Sequence, residues 1–229
     1  SAPSHVPTMP TISGLPALVE TNVFGRHDPS PSGQLIDLHL FVSHFCARRY
    51  EAVHGIDTAG AGYGVLYNPV DTTFYAERVP QRAEETQPGR VIGRLSRPDP
   101  GKWSSLALDF LPLLRRELPT FTYRNIGATD EARQFVGEQG LEDLVVFEPP
   151  ATREGDLAAF FQKLTVLAHA NDTGESFGLA IAEAMAAGLP VVTHPCEGLK
   201  DNAQLELVDH GVTGLIASTA EEYAQALLW

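Results

Sequence analysis

Residues 173–192 read T-G-E-S-F-G-L-A-I-A-E-A-M-A-A-G-L-P-V-V, and the backbone this string demands decides the fold. The run just before it, Leu164 to Ala168 (L-T-V-L-A), is apolar and short, as a buried parallel strand is. A polar turn follows. From Ser176 the good helix formers Leu179, Ala180, Ile181, Ala182, Glu183, Ala184, Met185, Ala186 and Ala187 predict a helix over 176–187. Gly188 stands at its C-cap, Pro190 forbids continuation, and residues 189–193 begin another strand. The string therefore encodes strand, glycine-bearing loop, helix and strand. Unsatisfied N–H groups at the helix start, with the macrodipole behind them, suit a phosphate. Glu175 and Glu183 flank that start. Eight residues of helix span roughly 12 Å, which would set one carboxylate beyond a diphosphate and the other beside a ribose. A carboxylate takes two hydroxyl donors at once, as a sugar diol offers. An amphipathic helix with one exposed Glu is the plain alternative for the bare pair.

Working outward, residues 89–229 alternate regularly. Strands are expected over 90–93, 120–126, 144–147, 164–168, 189–193 and 214–217, with helices over 104–117, 130–139, 154–162, 176–187, 203–209 and from Thr219. Such alternation predicts a doubly wound parallel sheet, Rossmann-like, with ligands at the carboxyl ends of the strands where the order reverses. The first 35 residues are rich in Pro, Ser, Thr and Gly and read as loop or extended chain, with a short strand over 16–20. A strand over 39–43, a helix over 44–54 capped by Ser43 and ended by Gly55, and a strand over 63–67 follow. Tyr67 to Asp71 (Y-N-P-V-D) reads as a turn, and 76–88 as a charged, Pro-containing linker. The expected organisation is a partial N-terminal α/β domain over 1–75, the linker over 76–88, and a C-terminal domain over 89–229.

Composition narrows the partners. The formal net charge of −13 disfavours nucleic acid and anionic membrane surfaces, both of which require concentrated Lys and Arg. No apolar run has the length of a membrane span and no leader pattern is present. Cys46 and Cys196 alone make no disulfide framework, so a reducing cytoplasm is the expected location. The chain begins at Ser1 without Met and ends at Trp229 inside a helical pattern, so missing material at both ends is expected. No Asp-x-Asp or His cluster has ligand spacing, and no metal is expected.

The whole string, with Gly174, Phe177, Gly178, Ala184, Met185, Gly188 and Pro190 beside the two glutamates, resembles the signature of retaining GT-B-fold glycosyltransferases, the glycogen-synthase-like and mannosyltransferase-like group. Y-N-P-V-D with Phe74, the G-R-L at Gly93 to Leu95, and D-H-G-V-T-G-L at Asp209 to Leu215 fit the same pattern. The resemblance implies a GT-B-like α/β fold and transfer of a sugar from a nucleotide-diphosphate-sugar donor to a hydroxyl acceptor, with no cofactor. It implies catalytic roles for Glu175 on the sugar and for Arg94 and Lys102 on the diphosphate. Glu183 is matched to the ribose, and the segment around Ser176, Phe177, Gly178 and Leu179 to the phosphates. Arg97 stands ready to share a cationic role, because the gap to Lys102 is two residues longer than usual. Fixed cations at a leaving diphosphate stabilise charge that grows in the transition state. The resemblance also implies one-face reaction, the leaving phosphate taking the acceptor's proton.

The chain departs from the family at Glu197, where a Gly-Gly pair is usual, and at Thr21 to Gly25 (T-N-V-F-G), where a His is usual. His169 ends the strand before Glu175, within reach of the site or of a backbone group. Two other readings stay open: a nucleotide-sugar-binding module or inactive fragment without transfer, and a sugar-nucleotide epimerase or phosphorylase on the same fold.

Overall fold

The computed structural model describes residues 17–79 and 89–229. It divides into two compact units, one ending at Tyr67 and one beginning at Asn68.

In the first unit, β1 (Val19–Asn22), β2 (Leu38–Phe41) and β3 (Tyr63–Val65) form a parallel sheet in the order β1-β2-β3. The helix α1 (His44–His54) starts where expected: the Ser43 hydroxyl accepts from the Cys46 amide at 3.0 Å, and Gly55 closes the other end. The strand expected over 16–20 lies later, at β1, paired in register with β2 from Val19 to Asn22; Pro16 lies outside the described residues. Buried Phe41, Val42, Cys46 and Tyr50 make this unit's core.

The second unit opens with α2 (Thr72–Arg78), capped by the Asp71 carboxylate accepting from Phe74 N–H at 2.8 Å. This corrects the expected boundary at residue 75 and the linker start at 76. Tyr75 and Val79 are buried in an apolar cluster against which Val70 and Phe74 also pack, so these residues belong with the second unit. The rest of the expected linker, residues 80–88, lies outside the described residues.

Six parallel strands follow: β4 (Arg90–Leu95), β5 (Phe121–Ile126), β6 (Val145–Glu148), β7 (Val166–Ala168), β8 (Val191–Thr193) and β9 (Gly214–Ile216), in the order β6-β5-β4-β7-β8-β9. The chain winds outward from β4 to β6, returns to β7 and winds the other way. One face carries α3 (Leu106–Glu117) and α8 (Ala220–Leu228), burying Phe110, Leu111, Leu114, Tyr223 and Leu227 with Ile92, Tyr123 and Val192. The other carries α5 (Glu154–Phe161) and α6 (Leu179–Ala186), burying Phe160, Phe161, Ile181 and Ala184 with Leu167 and Val191. Strands covered on both faces explain the unbroken apolar runs in the sequence. The remaining helices, α4 (Asp130–Glu138) and α7 (Gln204–Leu207), complete the alternation. The reversal of strand order falls between β4 and β7, which places the crevice for a ligand at their carboxyl ends.

Candidate active site

A cavity of about 590 Å³ opens at that reversal. Its wall carries Leu95, Ser96 and Arg97 after β4, Gly127 and Ala128 after β5, Glu148 and Pro150 at the end of β6, and His169, Asn171 and Glu175 after β7. Lys102, Arg133, Leu179 and Ala180 complete it. A second cavity of similar volume lies at the amino ends of the strands, lined by Thr165, Pro190 and Gly214, and Arg90 is its only charged lining residue. The convergent charges are at the carboxyl edge.

The helix expected over 176–187 begins three residues later, at Leu179, because two glycines keep the preceding segment out of helix. Gly174 has φ +70° and a Cβ there would stand 1.6 Å from the Asp201 carbonyl oxygen. Gly178 has φ +99°, a left-handed conformation that glycine tolerates. The loop between them is stitched to the segment before α7. Glu175 N–H donates to Gln204 Oε1 at 3.1 Å, Ala203 N–H donates to the Glu175 carbonyl at 2.9 Å, and Ser176 Oγ donates to Asp201 Oδ2 at 2.9 Å. Glu175 and Glu183 are therefore not eight helical residues apart. Only four helical steps, about 6 Å of rise, separate Leu179 from Glu183.

Glu175 is the centre of the site. Lys102 Nζ lies 3.5 Å from both of its carboxylate oxygens. Asn171 Nδ2 donates to Oε1 at 2.6 Å. His169 Nε2 lies 3.4 Å from the same oxygen and 3.2 Å from Asn171 Nδ2. A protonated His169 thus adds a donor to Glu175, whereas a neutral one with Nε2 bare accepts from Asn171. Burial pushes the Glu175 pKa upward, but the hydrogen bond and charge from His169 and the Lys102 ammonium outweigh it, and the carboxyl sits below its ordinary value. It is an anion at neutral pH.

Asn171, which the sequence reading passed over, ties the site together. It is 2% exposed, and its N–H donates to His194 Nε2 at 3.0 Å. That bond leaves the His194 proton on Nδ1, which lies 2.9 Å from the Pro195 carbonyl. Burial, the largest influence on His194, lowers its pKa and keeps the ring neutral. Cys196 Sγ donates to the Asn171 carbonyl at 3.3 Å, and both cysteines are free thiols. Arg133 was also missed: it is exposed on the cavity wall with its guanidinium 4.3 Å from the Phe147 ring centroid. No short motif marks either residue.

Arg94, expected on the diphosphate beside Lys102, is turned inward. It is 2% exposed and does not line the cavity. Its Nη2 donates to the Lys102 carbonyl at 2.7 Å and the Ala170 carbonyl at 2.9 Å, and its Nη1 to Ser96 Oγ. The guanidinium carbon lies 3.8 Å from the Trp103 ring centroid. Arg94 Nε and both polar side-chain atoms of Asn125, its partner in strand register, are buried without hydrogen-bond partners among the described residues. Arg97 is exposed on the wall, with no ion pair among the described residues.

Of the residues expected on the phosphates, Leu179 is on the wall, Phe177 is buried, and the Ser176 hydroxyl is committed to Asp201. Gly178 is the N-cap of α6, and its carbonyl accepts from the Ile181 and Ala182 amides. Glu183 is not on the wall; it lies one turn beyond Leu179 and Ala180 on the same helix face. It is half-buried next to the Tyr75 hydroxyl, and burial raises its pKa, with the Glu154 charge adding to the effect. Burial likewise pushes the Tyr75 hydroxyl to high pKa. Among the described residues no group of three or more His, Cys, Asp or Glu is placed to hold a metal, and no helix is long and apolar enough to cross a membrane.

The family described as Glycosyl transferases group 1 matches residues 90–229. The chain is 34% identical over 100 residues to a D-inositol 3-phosphate glycosyltransferase of Frankia alni, covering 43% of this chain and 23% of that one. It is 32% identical over 143 residues to a phosphatidyl-myo-inositol mannosyltransferase of Mycobacterium leprae, covering 60% and 38%. Among solved structures it is similar to Anabaena HepE in complex with UDP and glucose, with a TM-score of 0.71 and 23% identity over 93% of this chain and 61% of that one. That likeness concerns the GT-B fold. The chain spans well under half the length of these two curated relatives.

Proposed function

From membership of the glycosyl transferases group 1 family, to which this chain belongs, we propose that the cavity takes a nucleoside-diphosphate sugar and that its sugar passes, with retention, to a hydroxyl acceptor. The observation that carries this is the Lys102–Glu175 pair at 3.5 Å on the wall of a 590 Å³ cavity at the strand reversal. The carboxylate accepts sugar hydroxyls, and the ammonium neutralises the departing diphosphate as charge gathers on it. Arg97, exposed on the same wall, adds a second cation, and the start of α6 at Leu179 offers amides and a positive dipole end. Glu183, one turn further along α6, is the proposed ribose acceptor. Glu148, the other wall carboxylate, is occupied by ion pairs with Arg124 and Lys163. That favours front-face departure of the diphosphate over a two-carboxylate displacement. No cofactor or metal takes part in this reading.

Titration calorimetry with UDP tests it, UDP being chosen because HepE was solved with UDP and glucose. Lys102→Met should weaken UDP roughly 10–100-fold, the worth of one charge-assisted hydrogen bond of about 1.5–3 kcal/mol. A panel of other nucleoside diphosphates covers other bases. If none binds, or if Lys102→Met binds as tightly as the parent, the proposal fails. A second reading, a donor-binding module without transfer, is favoured by the chain's spanning only 23% and 38% of the two relatives. Nucleotide-sugar binding without nucleotide release in any acceptor mixture would decide for it.

A further inference from the structure

The inward turn of Arg94 separates its role from that of Lys102. Both Nη2 hydrogens are spent, one on the Lys102 carbonyl and one on the Ala170 carbonyl. Nη1 is engaged by Ser96 Oγ, and Trp103 lies against the guanidinium plane. To reach a ligand in the cavity the fork would have to release two buried carbonyls, each of which would then lack a partner. The two carbonyls lie on opposite sides of the strand reversal: Lys102 is in the loop after β4, and Ala170 is in the loop after β7. A second tie runs parallel, from Asp172 N–H to the Trp103 carbonyl at 3.1 Å, while Trp103 Nε1 donates to the Gly127 carbonyl at 3.1 Å. The planar guanidinium thus sets the spacing between the loop that carries Lys102 and the loop that carries Glu175.

Resting on the donor-site reading above, we propose that Arg94 is a positioning residue: it fixes Lys102 against Glu175 by bridging the Lys102 and Ala170 carbonyls, and it makes no contact with the diphosphate. A lysine retains the charge but has a single nitrogen in place of the rigid fork that serves two carbonyls at once. Charge alone should not restore the function.

A double-mutant cycle on the 229-residue chain, read as UDP affinity, tests this. Lys102→Met and Arg94→Met should each lose roughly 10-fold or more, and the double variant should lose no more than about twofold beyond Lys102→Met, because both remove one shared contact. Arg94→Lys should be no better than Arg94→Met. Losses that multiply, to roughly 100-fold, or recovery in Arg94→Lys would overturn the assignment and make Arg94 a direct diphosphate ligand. Two resonance measurements stand apart from the variants' affinity and stability. In the unmutated chain, the Arg94 Cζ and Nε signals should stay fixed as UDP is added while the Lys102 Cε signal moves; an Arg94 shift as large as that of Lys102 refutes the proposal. Without ligand, Glu175→Gln should move the Lys102 Cε signal in the parent background and not in Arg94→Lys. An equal response in both backgrounds refutes it too. If the parent binds no nucleoside diphosphate, the donor-site reading falls, and the ligand-free comparison still decides the role of Arg94.

Discussion

Asn171→Asp is the most informative single change, because it exchanges a donor for an acceptor at the 2.6 Å contact with Glu175 Oε1 and leaves the shape almost untouched. At neutral pH two carboxylates would face each other in a site where Asn171 is 2% exposed. Two like charges about 4 Å apart repel by roughly 4 kcal/mol at an effective dielectric constant of 20. The lost hydrogen bond to a charged acceptor adds about 1.5–3 kcal/mol, and the Lys102 ammonium returns part of the total. The pair escapes most of this by retaining one proton, so its upper pKa rises. In the parent, the folded pKa of Glu175 lies below its ordinary value. Its stabilisation is therefore complete above the unfolded pKa and is lost as pH falls through the folded one. In the variant the sign reverses: the shared proton stabilises at low pH, and stability is lost as pH rises through the raised value. The expected penalty is about 3–5 kcal/mol at pH 8, shrinking to roughly 1 kcal/mol at pH 5. Urea unfolding followed by tryptophan fluorescence suits the assay, since Trp103 and Trp229, the chain's only tryptophans, both lie in the second unit. Asn171→Leu, which removes the bond without adding charge, serves as the pH-independent control. A variant whose penalty is the same at pH 5 and pH 8 would refute the Asn171–Glu175 contact and the arrangement built on it.

Gly174→Ala should destabilise the second unit by about 1–3 kcal/mol from its φ of +70°, with the 1.6 Å clash against the Asp201 carbonyl displacing the Glu175 loop as well. Urea unfolding should show the loss, and UDP calorimetry should show weaker binding than stability alone explains; normal affinity would count against the loop geometry. Glu183→Gln should stabilise the fold above about pH 5 and have no effect near pH 4, because burial raises the folded pKa and the ionised form is the one that costs. The same variant should lose affinity for UDP while its thermal midpoint at pH 7.5 rises; an unchanged affinity would remove Glu183 from the ribose.

The six strands of the second unit were legible because each is an apolar run bounded by turn residues and covered on both faces, so composition alone marks it. The caps were legible for a related reason. Ser43 and Thr219 accept from the amides of Cys46 and Glu222, local contacts that depend only on nearby residues. The start of α6 was misplaced because Ser176 and Phe177 are acceptable in a helix, and only the packing of Gly174 on Asp201, 27 residues later, excludes them. Arg94 shows the same limit more sharply. An arginine beside a glycine at a strand end looks like an anion ligand, and nothing in the sequence says that two carbonyls, eight and 76 residues away, have already claimed it. Asn171 was overlooked because its partners lie on two separate loops.

The stitching of the Glu175 loop to residues 201–204 has a consequence for how sugar preference can change. Glu175 holds its place through Gln204, Ala203 and the neighbouring Ser176–Asp201 bond, so its aim is governed by a stretch remote in sequence that need not touch the donor. Transplanting that stretch between homologues would turn the carboxylate toward a different hydroxyl while the E-x7-E pair itself stayed unaltered. Two chains with identical signatures would then choose different sugars.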